Sequence, residues 1–154
     1  MHKDNQASVK PSQRIRKYFP HSPTTDQEYF FNAMDAFLDK KVPSGATFIL
    51  KGYAGTGKTT VLAALVKALP SLGLRAVMLA PTGRAAKVMS AYADKTGFTI
   101  HKIIYRAKQG FVDGADGFVV QKNYYQKSVF IIDEASMLSD DRMGGKSLLA
   151  DLIG

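Results

Sequence analysis

Gly52-Tyr53-Ala54-Gly55-Thr56-Gly57-Lys58-Thr59 satisfies every fixed position of the pattern G-x-x-x-x-G-K-[ST]. These residue types at this spacing suit one task, the wrapping of a polyphosphate. A loop that encloses β- and γ-phosphates turns its backbone N–H groups inward, where Cβ atoms obstruct. Gly55 and Gly57 have none and tolerate positive φ. Lys58 adds a full positive charge, and the Thr59 hydroxyl is the expected Mg2+ ligand. A helix that starts at the end of the loop aims unpaired N–H groups and its dipole at the anion. The candidate nucleotide contacts are therefore Gly52, Ala54, Gly55, Thr56, Gly57, Lys58, Thr59 and Thr60. The plain alternative is an ordinary glycine turn before a helix, and the full spacing argues against it.

A second chemical candidate ends the apolar run Val129-Phe130-Ile131-Ile132 with Asp133-Glu134. A carboxylate at the C-terminal end of a central parallel strand faces the ligand crevice of an α/β sheet. Asp133 is placed to hold Mg2+ through water, and Glu134 to accept a proton from the water that attacks the γ-phosphate. Acidic residues often end strands, so the pair carries weight only because the glycine-rich loop precedes it in the correct order. Lys58, Asp133 and Glu134 form the candidate catalytic set, with ATP and Mg2+ as the implied ligands.

Positioning these groups requires strands that end where they begin. Thr47-Phe48-Ile49-Leu50 reads as a buried strand feeding the loop, and residues 60–69 as the helix behind it. Pro70-Ser71-Leu72-Gly73 is a stop. Residues 75–80 read as a second strand, Pro81-Thr82-Gly83 as a turn, and residues 84–92 as a helix. Residues 128–133 form the third strand, whose continuous apolar run suits burial on both faces. Alternating strands and helices imply an α/β fold with parallel pairing and right-handed crossovers.

Upstream, Thr24 with Gln27, or Thr25 with Glu28, makes a capping box. Phe30, Met34, Phe37 and Leu38 then share one helical face. Gly97 to Tyr105 reads as a turn into a short helix. Residues 110–125 read as a β-hairpin excursion turning at 113–117. Leu148, Leu149, Leu152 and Ile153 suggest a last helix.

The 154 residues suit about one domain, and 45% apolar content permits a real core. There are no cysteines, which excludes disulfides and thiolate metal sites and is compatible with a cytoplasmic setting. No apolar run approaches the ~18 residues of a membrane span, so no membrane partner is expected. The N-terminus lacks the apolar stretch of a signal peptide. The net charge of +8 suggests a polyanion partner. Half of that excess lies before Pro20, in Lys3, Lys10, Arg14, Arg16 and Lys17 against Asp4. From charge alone, residues 1–17 read as a solvated, disordered basic tail, although Ile15, Tyr18 and Phe19 could dock a short element on the body. Residues 18–154 read as the folded part.

Several stretches together resemble superfamily 1 DNA helicases of the branch containing RecD and phage Dda. Asp133-Glu134-Ala135-Ser136-Met137 resembles motif II, and the loop from Gly52 to Thr60 resembles motif I. Leu79-Ala80-Pro81-Thr82-Gly83-Arg84-Ala85-Ala86 resembles motif Ia. Thr99-Ile100-His101 resembles a short block between Ia and II, and Pro23-Thr24-Thr25-Asp26-Gln27 the upstream Q motif. The resemblance implies a P-loop NTPase of the RecA-like helicase-motor type, a parallel sheet flanked by helices. It implies ATP-driven 5′→3′ movement on single-stranded DNA in repair and recombination. Gln27 would hydrogen-bond the adenine edge, alongside its capping role. Pro81, Thr82, Arg84, Thr99 and His101 would lie along single-stranded DNA.

Motifs III to VI of this branch are not found, nor is the second motor domain that supplies its arginine finger. The resemblance thus implies an incomplete motor domain whose C-terminal strands are missing, with weak turnover by itself. A stand-alone module that binds ATP and single strands without motor activity is the alternative. A nucleotide kinase would need an Arg-rich lid, and none is evident. In this fold the strand at 75–80 should pair with that at 128–133, and the strand at 47–51 should not.

Overall fold

A computed structural model describes residues 9–107, 118–138, 142–143 and 146–153. The chain divides into two compact units, Met1–Gly73 and Leu74–Gly154.

The first unit is helical. Helix α1 (Pro11–Tyr18) opens with proline at its first position, where a missing N–H costs nothing. Helix α2 (Thr25–Phe37) opens with the first of the two possible boxes: Gln27 N donates to Thr24 Oγ1 at 3.3 Å, and Thr24 N to Gln27 Oε1 at 2.9 Å. Helix α3 (Lys58–Ala68) follows the glycine-rich loop, and a short 3-10 turn (Leu69–Leu72) ends at Gly73 with φ 72°. Phe30, Phe31 and Met34 are buried on α2, and Val61, Ala64, Leu65 and Ala68 on α3.

Residues 11–17 are not part of a loose tail. Ile15 is fully buried, and α1 is tied to α2 by two polar clamps. Asp35 accepts from Ser12 N at 2.7 Å and Ser12 Oγ at 2.8 Å, which satisfies an open N–H of the first turn of α1. Arg16 donates in bidentate fashion to Glu28 and also to Asn32. Its hydrogen bonds hold the Glu28 carboxyl below the usual range. Ser12 is almost wholly buried, so Asp35→Ala should leave its N–H and hydroxyl without acceptors. We expect a loss of about 1–3 kcal/mol in a urea unfolding titration, and an unchanged midpoint would contradict this docking.

The strand expected at 47–51 is a correction. These residues form no ladder with any described strand, and Ile49 is 72% exposed. Phe48 instead rests edge-on against Phe30 at a ring separation of 5.8 Å and tilted against Phe37 at 5.5 Å. Apolar, β-prone residues make a strand only where a backbone partner exists.

The second unit is α/β. Strand β1 (Arg75–Ala80) is central, with parallel β2 (Gly97–Thr99) on one side and β5 (Ser128–Ile132) on the other. Between them come α4 (Gly83–Ala93), α5 (Ile100–Ile104), β3 (Tyr105–Ala107) and β4 (Phe118–Val120). The register Arg75↔Ser128 through Leu79↔Ile132 gives the pairing expected for these two segments. Five of the six β1 residues are buried. Val77 and Leu79 pack with Ile100 and Ile104, and Phe130, Ile132, Leu148 and Leu152 complete that cluster.

Strand β5 is less buried than its apolar run implies. Only Ile131 is enclosed, because β5 is an edge strand among the described residues. Residues 97–99, expected as a turn, form strand β2 because Met78 to Ala80 give them a parallel partner. Of the expected excursion, β4 is present and pairs antiparallel with β3. Tyr105 pairs with Val120, and Ala107 with Phe118. Residues 110–117, with the expected turn at 113–117, lie outside the described residues. Beyond β5 lie a 3-10 turn (Ala135–Met137), the small pair β6 (Arg142–Met143) and β7 (Lys146–Ser147), and α6 (Leu148–Ile153), the expected last helix. No helix among the described residues is long and apolar enough to cross a membrane.

Candidate nucleotide and nucleic-acid site

The loop between residues 52 and 57 is built for close backbone approach. Gly55 and Gly57 sit at φ 78° and 83°, the left-handed region that side chains disfavour. A Cβ on Gly57 would stand 2.7 Å from Gln27 Nε2, and one on Gly52 2.8 Å from Thr56 Oγ1. Thr56 Oγ1 donates to Tyr53 O at 2.8 Å and closes the turn. Gly57 is the N-cap of α3, and its carbonyl accepts from Val61 N at 3.0 Å. The loop residues from Gly52 to Thr56 are exposed, as is Thr59, while Thr60 is partly buried.

Lys58 begins α3 and folds back over the loop. Its ammonium donates to Gly52 O at 2.6 Å and Tyr53 O at 2.7 Å. The cation is thus held at the mouth of the loop by weak neutral acceptors that a phosphate oxygen can replace. Gln27 also belongs to this cluster. While its Oε1 caps α2, its Nε2 donates to Thr56 O at 3.3 Å. The amide therefore links the start of α2 to the loop, a contact that the sequence signalled only as a cap.

In the second unit the parallel register gathers the other candidates. Ala80 is level with Thr99, and Leu79 with Ile132. Pro81, Thr82, Arg84, Thr99, His101, Asp133 and Glu134 therefore all follow strands that end at one edge of the sheet. Open α/β sheets bind ligands at this edge. Thr82 caps α4 by accepting from Ala85 N at 3.2 Å, and Thr99 caps α5 by accepting from Lys102 N at 3.3 Å. Arg84 and His101 are exposed. The His101 ring lies 5.6 Å from that of Tyr105.

Asp133 is fixed at both oxygens. Its own N–H donates to Leu79 O at 3.1 Å, extending the β1–β5 ladder by one bond. Oδ1 accepts from Glu134 N at 2.9 Å, and Oδ2 from the Tyr92 hydroxyl at 2.7 Å. Glu134 has φ 55°, an uncommon conformation for a residue with a side chain, and begins the 3-10 turn. Tyr92 comes from the last turn of α4 and is partly buried. Burial, then the bond to Asp133, pushes its ionisation well above the usual tyrosine range, so it stays a donor. No spacing rule singles out a tyrosine on an Ala- and Met-rich helix, so the sequence carries no signal for it.

Among the described residues no three His, Cys, Asp or Glu side chains gather as a metal site. The first unit presents the exposed Thr59 hydroxyl, and the second the Asp133 carboxylate. Each is a hard oxygen of the kind that Mg2+ prefers.

A family model described as an AAA domain matches residues 34–149. The ATP-dependent RecD2 DNA helicase of Deinococcus radiodurans is 34% identical over 105 residues, 66% of this chain and 13% of that protein. The ATP-dependent DNA helicase dda of phage T4 is 39% identical over 83 residues, 53% of this chain and 18% of that protein. An uncharacterized protein of Methanocaldococcus jannaschii is 28% identical over 152 residues, 91% of this chain and 13% of that protein. The chain therefore spans less than a fifth of the length of each of these relatives. No solved structure matches it.

Proposed function

The chain belongs to this AAA-domain family and is similar to RecD- and Dda-type helicases, and from that premise we propose that it is the ATP-binding portion of an ATP-dependent DNA helicase. The parent motor couples hydrolysis to 5′→3′ translocation on single-stranded DNA. The observation that carries this reading is the loop itself: two glycines at positive φ and a lysine at the first position of α3 whose ammonium lies over the loop carbonyls.

In this reading the loop N–H groups from Gly52 to Thr60 receive the phosphate oxygens. Lys58 exchanges its two carbonyl acceptors for the β- and γ-phosphates, a change from neutral to charge-assisted hydrogen bonds. Gln27 keeps its cap on α2 and offers its second amide hydrogen and remaining lone pair to the adenine edge. Bound Mg2+ would neutralise charge that develops on the phosphates. In the first unit Thr59 would offer it a hydroxyl oxygen; in the second, Asp133 is the carboxylate suited to hold a cation through water. Glu134 takes the proton of the attacking water.

At the strand-end edge of the second unit, Arg84 and the N–H groups that open α4 neutralise phosphates of the single strand. Thr99 and His101 add contacts at the start of α5. Binding that rests on phosphate contacts weakens linearly on a logarithmic salt scale, with a slope of about 0.7 per neutralised phosphate of a single strand. We therefore expect Arg84→Ala to lower affinity for an oligothymidylate and to reduce the salt slope by about 0.7. Fluorescence anisotropy across a salt series measures both. An unchanged slope would remove Arg84 from the DNA contact. Loss of ssDNA binding with intact ATP binding would favour a module that handles nucleotide alone.

A further inference from the structure

Tyr92 stands apart from every motif, yet it makes one of the most directed polar contacts in the second unit. Its hydroxyl meets Asp133 Oδ2 at 2.7 Å, while Glu134 N meets Oδ1 at 2.9 Å. One donor per oxygen fixes the plane of the carboxylate and leaves each oxygen a further lone pair. The two donors differ in origin. The Glu134 N–H is adjacent in the chain and rotates with the strand end. Tyr92 is 41 positions away, on the helix whose first turn carries Thr82 and Arg84.

We propose that Tyr92 is a positioning residue, which holds the Asp133 carboxylate in the orientation that engages a divalent cation. The proposal rests on the reading of Asp133 given above. Metal-facing carboxylates are commonly oriented by a second hydrogen-bonded group, whose loss costs about 10–100-fold in metal affinity or activity. A tyrosine hydroxyl suits the task, because it is neutral and does not compete as an anion. Its aromatic body, partly buried on α4, restricts the hydroxyl more than a flexible polar side chain would be restricted.

The test compares ATP affinity of the 154-residue chain in EDTA and in excess Mg2+, by calorimetry, in three proteins: wild type, Tyr92→Phe and Asp133→Asn. Far-UV circular dichroism of each accompanies the titrations. The readout is the factor by which Mg2+ tightens ATP binding. We expect Tyr92→Phe to reduce that factor by about tenfold, or to the Asp133→Asn value if that is reached first. Its affinity in EDTA should match wild type, because the loop that grips the phosphates is untouched. A Tyr92→Phe factor equal to wild type, beside a reduced one in Asp133→Asn, would overturn the positioning role. Equal losses in EDTA and in Mg2+ would overturn it too, since they mark a general structural effect. A wild-type factor in Asp133→Asn would instead overturn the metal role of Asp133 itself.

Discussion

Replacing Lys58 by alanine is expected to weaken ATP binding about 10- to 100-fold while leaving the fold intact. The size follows from the bonds exchanged. Hydrogen bonds to charged groups contribute about 1.5–3 kcal/mol, and each 1.4 kcal/mol is roughly tenfold in affinity. The tolerance follows from the position. Among the described residues the ammonium donates to the carbonyls of Gly52 and Tyr53, which lie on an exposed loop and can turn to water. The α3 residues that hold the core begin at Val61. Calorimetric titration with Mg-ATP measures the first effect and thermal unfolding the second. Equal affinity of both proteins would leave the loop without its assigned role.

A second large effect is expected at Glu134. Glu134→Gln should slow ATP hydrolysis about 10²- to 10⁴-fold, the usual weight of a general base, with little change in ATP affinity. The substitution keeps size and shape. It also keeps the backbone N–H that holds Asp133 Oδ1, and the φ of 55° is as accessible to glutamine as to glutamate. Single-turnover hydrolysis, with saturating single-stranded DNA present, isolates the chemical step. A rate within a few-fold of wild type would mean that another group takes the proton.

The parts legible in the sequence were those governed by local rules. A phosphate loop needs glycine where φ is positive and a lysine where a helix begins, so Gly55, Gly57 and Lys58 declare themselves by spacing. The capping box of Thr24 and Gln27 is local in the same way. So are the helix after Thr82 and the apolar run of β1, whereas the pairing of β1 with β5 is legible only through the fold that the resemblance implies. What escaped depended on distant partners. Residues 47–51 have strand composition but no backbone ladder among the described residues. β5 has the composition of a fully buried strand but lies at a sheet edge. Phe31 lies off the face of α2 that periodicity picks out, because its partners come from α1 and the residue that ends it. Its ring meets Phe19 at 5.3 Å and the Arg16 guanidinium at 5.9 Å. Gln27 to Thr56 and Tyr92 to Asp133 span 29 and 41 positions, and no pattern in the chain encodes either pairing.

The central claim is that the loop from Gly52 to Thr59 receives the phosphates of ATP. Amide chemical-shift mapping tests it most directly. Mg-ATP is titrated into the ¹⁵N-labelled chain and the backbone N–H resonances are followed one by one. The account predicts saturable shifts centred on the amides of Gly55, Thr56, Gly57, Lys58, Thr59 and Thr60. It also predicts that the same titration of Lys58→Ala gives those shifts only at higher ATP. Shifts that leave these amides unmoved, or that map to other segments, would contradict it.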